Sequence, residues 1–124
     1  PAAEQKLPMP ALDLWSSRAY HDVRSTLMSL REPLPYAEVD TLVRTILVRG
    51  IVVFSTHAYV AMDERGIDEV DVRNVLRDGT CVGHRWAHGT WRYELCTEDL
   101  VVIVGFLAED DAVIVTAWWE GDPD

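Results

Sequence analysis

The side chains best suited to chemistry lie in one short stretch, Phe54 to Ile67. It holds His57, whose imidazole can give and take protons near neutral pH, and Arg65, whose planar guanidinium can hold a phosphate. His57 therefore suits general acid or base catalysis, and Arg65 suits anion binding. Structural roles compete with both: His57 could cap a helix or lie in the core, and Arg65 could pair with a neighbouring acid such as Glu64.

Two further arginines fall on a predicted hairpin that turns at His88-Gly89. Gly89 can adopt the positive φ that such a turn needs, and folding there brings Arg85 opposite Arg92. Like charges directly opposite one another are unfavourable unless an anion lies between them. That anion could be the carboxylate of Glu94, on the same face, or a substrate phosphate.

Alternation along this hairpin sorts its side chains between two faces of a sheet. We expect one face to carry Val82, His84, Trp86, Trp91, Tyr93 and Leu95, and the other to carry Cys81, Gly83, Arg85, Arg92, Glu94 and Cys96. The predicted pairs are Trp86 with Trp91, His84 with Tyr93 and Cys81 with Cys96. The paired tryptophans favour a cover over the core more than a platform for nucleobases.

His84 and His88 are four residues apart, which on a helix would bring two imidazoles to one metal. On a hairpin the same spacing does not bring them together. We therefore expect no metal and no cofactor, and assign His84, His88 and Arg85 to substrate binding. Cys81 and Cys96 do not have the spacing of a zinc site. They are expected to be reduced packing thiols, as in most cytoplasmic proteins.

Helices and strands that could position these side chains follow one another along the chain. The first 35 residues are predicted to form an N-terminal arm and an extra helix, the helix running from Ala11 to Leu30 with Trp15, Val23 and Leu27 on its apolar face. The rest, residues 36–124, is expected to be one α+β domain.

Within that domain, the pattern predicts a helix over Tyr36–Arg49 that ends at a left-handed Gly50, and a strand over Ile51–Ser55. Ser55 or Thr56 would cap the helix that carries His57, with Gly66 at its end. A helix over Glu69–Arg77, capped by Asp68, would turn Val70, Val72, Val75 and Leu76 inward. A three-stranded antiparallel meander follows, in a sheet of about four strands, with an apolar central strand over Leu100–Leu107.

Charge is distributed unevenly over the 124 residues, whose formal net charge is −10. Eight acids and no lysine or arginine lie between Glu98 and Asp124. Such a balance disfavours non-specific nucleic-acid binding and fits a solvated acidic face or a surface for a basic partner. No apolar run approaches the roughly 20 residues of a membrane span, and no signal segment opens the sequence, so a cytoplasmic protein without a membrane partner is expected.

In a series of motifs the chain resembles a bacterial family of unknown function: Ser55-x-His57-Ala58, Met62-x-Glu64-Arg65-Gly66-Ile67, then Val72 to Gly79, Arg92-Tyr93 and Val113-Ile-Val-Thr116. That family carries Ser-x-His-Ala-x-x-Arg-Met-x-Glu-Arg-Gly-Ile ahead of a β-meander. The resemblance covers about Asp40 to Trp119, and Ala61 stands where the signature has arginine.

This resemblance groups the chain with RelE-like and MqsR-like ribonuclease toxins, of the barnase/EndoU/colicin/RelE fold. It implies a toxin-like endoribonuclease that cuts RNA without metal, leaves a cyclic phosphate, and is held by a partner such as an antitoxin. His57 would then transfer the proton, and Arg65 and Arg92 would bind the scissile phosphate. Tyr93 and Thr116, on the strands that match, could contribute hydroxyl groups.

A non-catalytic binding module on the same fold is the second hypothesis, either an immunity-type protein or one that binds a basic partner. The net charge of −10, Ala61 and the Trp118-Trp119 pair favour it. Trp118-Trp119 should point one indole to each face of its strand, which could leave one exposed to a partner. Under either hypothesis the N-terminal helix could join two copies into a homodimer.

Overall fold

A computed structural model describes residues 30–121. Within them lie helices α1 (Tyr36–Arg49), α2 (Thr56–Arg65) and α3 (Glu69–Asp78) and strands β1 (Ile51–Phe54), β2 (Thr80–Ala87), β3 (Thr90–Cys96), β4 (Leu100–Ala108) and β5 (Asp111–Trp119). The predicted α+β class is confirmed. The predicted arm and N-terminal helix lie outside the described residues, except for Leu30. None of the described helices is long and apolar enough to cross a membrane.

The sheet has five strands in the order β1-β5-β4-β3-β2. The predicted three-stranded meander and four-stranded sheet are therefore one strand short, because the hairpin supplies two strands to a meander of four. β1 joins the other edge, parallel to β5, and all remaining pairs are antiparallel. β4 is central, as its apolar residues predict.

One face of the sheet builds the core against α1 and α3. Helix residues Val39, Val43, Ile46, Val72, Val75 and Leu76 meet sheet residues Tyr93, Leu95, Val102, Val104 and Ile114, all of them at most 2% exposed. Each such side chain contributes about 1.5–3 kcal/mol on burial. The inward prediction for Val70 is wrong: Val70 is 64% exposed, because two residues along a helix turn the side chain away from the face that carries Val72.

Helix ends follow the sequence closely. Ser55 caps α2, Gly66 ends it in the left-handed region at φ 69°, and Asp68 forms a capping box with Asp71 at the start of α3. Gly50 differs from its prediction, since its φ is −113° and its backbone is extended. A side chain there would collide with the carbonyl oxygen of Asp110, so close packing explains this glycine.

The β2–β3 hairpin keeps the predicted register near its tip and loses it at its base. Trp86 pairs with Trp91, His84 with Tyr93 and Arg85 with Arg92, and both turn residues have positive φ, 52° at His88 and 79° at Gly89. The predicted Cys81–Cys96 pair is wrong, as Cys81 lies opposite Leu95 and Thr80 opposite Cys96.

An irregularity between Cys81 and Gly83 causes this shift, because Val82 is an extra residue that turns outward, 49% exposed. The Cys81 amide donates to Asp40 Oδ1 on α1 at 2.7 Å. Cys81 consequently faces the core with Leu95, the reverse of its predicted face. Burial raises the pKa of its thiol to about 11, and both cysteines are free thiols.

Candidate functional site

A cleft of about 560 Å³ lies on one face of the sheet, and Tyr93 and Leu95 are on the other, core-facing side. Its floor is a row of side-chain positions that runs across four strands. Gly83 lies opposite Glu94, Glu94 opposite Ile103, and Ile103 opposite Thr116. The cleft is lined by His57, Gly83, His84, Arg85, Arg92, Glu94, Ile103, Val115, Thr116 and Trp118. This volume falls within the range of small-ligand sites.

Arg85 and Arg92 line the cleft side by side, as the hairpin predicts. Burial lowers the pKa of Arg92, and the charge of Arg85 lowers it further. The carboxylate of Glu94 forms no ion pair with Arg85 or Arg92 in the described part of the chain. The cleft therefore holds two neighbouring cations that lack a protein counter-ion in the described part of the chain.

Two buried polar atoms in the same cleft have no hydrogen-bond partner within residues 30–121: Arg92 Nε and Thr116 Oγ1. Thr116 is only 6% exposed, and it lines the cleft. An unsatisfied buried polar group costs about 1–3 kcal/mol. A ligand with acceptor oxygens would recover that energy at both atoms.

His57 reaches the cleft because the start of α2 is fixed to β5. The Ser55 hydroxyl accepts a hydrogen bond from the Ala58 amide at 3.0 Å and donates one to the Val115 carbonyl at 3.1 Å. The Ser55 amide donates to Ile114 as well. His57 follows this anchor within the first helical turn, and its exposed imidazole lines the cleft.

Arg65 lies at the other end of α2 and does not line the cleft. Its Nη1 donates to the Ala117 carbonyl at 2.9 Å, and its own carbonyl accepts a bond from Trp119 Nε1 at 2.6 Å. These bonds hold the end of α2 on β5, which is a structural role. Ala61, where the signature has arginine, is buried at 4% exposure and is also outside the cleft.

Tyr93 belongs to the core and not to the cleft. Its hydroxyl donates to Glu32 Oε2 at 2.8 Å and accepts from the Leu34 amide at 3.1 Å. Burial raises the pKa of Tyr93 strongly, and it also raises the pKa of Glu32, against the opposing effect of the Tyr93 hydrogen bond. Tyr93 thus fastens residues 30–35 to the sheet.

Replacing Tyr93 with phenylalanine should lower the free energy of unfolding by about 1–3 kcal/mol, because it leaves the Leu34 amide and the Glu32 carboxyl without their partner. Urea denaturation measures the change. Tyr59→Phe offers a control, because it removes an exposed hydroxyl that donates to the Glu69 carboxylate. A stability equal to that of the original chain would contradict this role for the Tyr93 hydroxyl.

The two histidines of the hairpin lie differently with respect to the cleft. His84 borders the cleft, but its ring lies on the other face, where Nδ1 is 3.1 Å from the Tyr36 hydroxyl oxygen. His88 occupies the turn and is absent from the cleft lining. No group of three or more His, Cys, Asp or Glu within residues 30–121 is arranged to hold a metal ion.

The structure adds cleft residues that the sequence did not single out as functional. The sequence predicts Glu94 only as a possible counter-ion, Trp118 only as one of two indoles that could meet a partner, and Gly83 only by its face. Sequence spacing could have identified two of them, because Glu94 is two residues from Arg92 and Trp118 is two residues from Thr116. Alternation places each of them on its neighbour's face.

Residues 54–119 match the family described as a domain of unknown function (DUF4258), over more than half of the chain. The chain belongs to the DUF4258 family. No curated protein and no solved structure matches it. The DUF4258 segment, residues 54–119, includes every described residue that lines the cleft and leaves out α1.

Proposed function

We propose that this DUF4258 chain is an endoribonuclease that binds the scissile phosphate of RNA between Arg85 and Arg92. The observation that carries the proposal is the pair of unpartnered buried atoms, Arg92 Nε and Thr116 Oγ1, beside a second arginine in one cleft. Phosphate oxygens accept hydrogen bonds and carry negative charge. A phosphate therefore suits both the unpaired donors and the two uncompensated cations.

The same cleft supplies two groups for proton transfer, His57 and Glu94. A carboxylate is ionised at neutral pH and can accept a proton, whereas an imidazolium can donate one. Glu94 would take the proton from the ribose 2′-OH, whose oxygen attacks phosphorus. His57 would protonate the departing 5′-oxygen, giving a cyclic phosphate and a free 5′-OH.

Arg92 and Thr116 are placed to stabilise the charge that develops on the phosphate during this attack. Donors that are fixed before the reaction need no reorganisation, and this preorganisation is a main source of rate enhancement. Among residues 30–121, Glu94 is the only acid that lines the cleft, so the acids from Glu98 to Glu120 add no carboxylate to it. Two arginines and one glutamate make the cleft locally cationic.

The direct test incubates the purified chain with RNA in the presence of EDTA. We expect fragments that end in a cyclic phosphate, while fully 2′-O-methylated RNA stays intact because it lacks the attacking hydroxyl. Intact RNA under these conditions would reject the proposal. A stable complex with a basic protein, without RNA cleavage, would instead favour the non-catalytic binding module on this fold.

Gly83 provides a way to narrow the cleft without replacing any of its polar groups. A Cβ added at Gly83 meets Glu94 at 3.8 Å, which is ordinary contact, so Gly83→Ala should fold and cut RNA normally. Gly83→Leu would extend into the cleft and should slow cleavage roughly tenfold to hundredfold by displacing the substrate. Rates are compared by gel electrophoresis, and equal rates for the two variants would place the reaction outside the cleft.

A further inference from the structure

Trp118 stands apart from the other tryptophans in the described part of the chain. Trp86 and Trp91 pack edge to face with their ring centroids 5.5 Å apart. Trp119 donates its indole N–H to the Arg65 carbonyl. The half-buried indole of Trp118 has neither a ring partner nor a hydrogen bond within residues 30–121, and it lines the cleft.

The position of Trp118 relative to the phosphate-binding groups is fixed by β5. It lies two residues from Thr116 on the same strand face, a spacing of about 7 Å along an extended strand. A ligand that is bound at Thr116 and Arg92 through a phosphate would therefore place its adjoining nucleoside near the indole.

We propose that Trp118 stacks on an unpaired nucleobase next to the bound phosphate, so that single-stranded RNA is the substrate. This inference rests on the proposed endoribonuclease function. Indole faces stack well on any base, and each such contact strengthens binding substantially. Bases inside a duplex are already stacked on both sides, so a duplex offers no face to Trp118.

Base stacking and phosphate binding depend differently on salt concentration. The salt dependence of affinity can therefore distinguish the contribution of Trp118 from that of the arginines. Arginine–phosphate contacts release counter-ions, so affinity falls as salt rises, with a slope set by the number of contacts. A neutral indole contributes no counter-ion release. Loss of Trp118 should therefore weaken binding at every salt concentration and leave that slope unchanged.

The experiment measures fluorescence anisotropy of a short, labelled, single-stranded 2′-O-methyl RNA, which the enzyme cannot cut. Trp118→Leu should weaken binding by about tenfold to hundredfold, and Trp118→Phe should keep most of the affinity because it keeps an aromatic face. Trp86→Leu is the matched control: Trp86 is 59% exposed and lies on the other face of the sheet.

A second probe with the same backbone but abasic sites identifies the contact. The original chain should bind the abasic probe more weakly than the intact probe, by about the factor by which Trp118→Leu weakens binding of the intact probe. Trp118→Leu itself should bind the two probes with nearly equal affinity. If Trp118→Leu weakens binding of both probes by the same factor, or weakens binding of neither, Trp118 does not stack on a base. RNA cleavage in EDTA is scored separately, so cleavage can fail while Trp118-dependent binding stands, and the reverse.

Discussion

Replacing His57 with alanine is expected to slow RNA cleavage by about 10²–10⁴-fold, the usual contribution of a positioned acid or base. The same change should leave stability nearly unaffected. The cap of α2 is supplied by the Ser55 hydroxyl, and His57 is exposed in the first turn. Single-turnover cleavage and thermal denaturation, measured on the same preparation, check both halves of the expectation.

Two additions make the His57 result specific to proton transfer. Added imidazole should restore part of the His57→Ala rate, because imidazolium is a small acid that can enter a cleft open to solvent. His88→Asn is the matched control, since His88 lies outside the cleft and asparagine tolerates its φ of 52°. If His57→Ala cuts RNA at the same rate as the original chain and His88→Asn, His57 is not the proton-transfer group. If His57→Ala loses its fold, the expected structural independence of His57 is wrong.

The local signals in the sequence predicted the helix that carries His57 correctly. Ser55, Gly66 and Asp68 are cap residues whose preferences depend on one or two neighbouring peptide groups, so their positions can be predicted without knowing the tertiary fold. The hairpin tip followed in the same way from His88-Gly89. These two features suffice to place Arg85 opposite Arg92.

The base of the hairpin shows where local patterns fail. A β-bulge adds one residue and reverses the face of every side chain beyond it. Val82 is the extra residue, and nothing in an apolar residue beside Gly83 distinguishes it from a regular strand position. The Asp40–Cys81 bond that accompanies the bulge joins residues 41 positions apart, so the local sequence does not reveal it.

The predicted site roles of Arg65 and Tyr93 differ from their positions in the structure for a reason other than a bulge. The family resemblance associated both with the site, but alternation had already put Tyr93 on the face of Leu95 and Arg92 on the opposite face. That simple pattern agrees with the structure. Where Arg65 points depends on how α2 crosses β5, which is settled by the Ser55 anchor and the Trp119 bond rather than by the residues around Arg65.

Arg92→Met is the second large effect, and it should change activity and stability in opposite directions. Cleavage should fall by about 10²–10³-fold, because the variant removes a fixed donor to the phosphate. The folded chain should become about 0.5–1 kcal/mol more stable, since methionine relieves the repulsion from Arg85 across the strand pair. Burial of the guanidinium, which lowers the pKa of Arg92, acts in the same direction.

Inorganic phosphate tests whether Arg92 affects both stability and cleavage through a bound anion. A ligand that binds only the folded state raises its stability, so phosphate should raise the melting temperature of the original chain and have a much smaller effect on Arg92→Met. Arg49→Met is the control for charge alone, since Arg49 is exposed at the end of α1 and outside the cleft. A destabilised Arg92→Met, or one that phosphate still stabilises fully, would mean that Arg92 serves the fold and not an anion. Greater stability with lost cleavage would identify Arg92 as a cation kept in the cleft for its ligand.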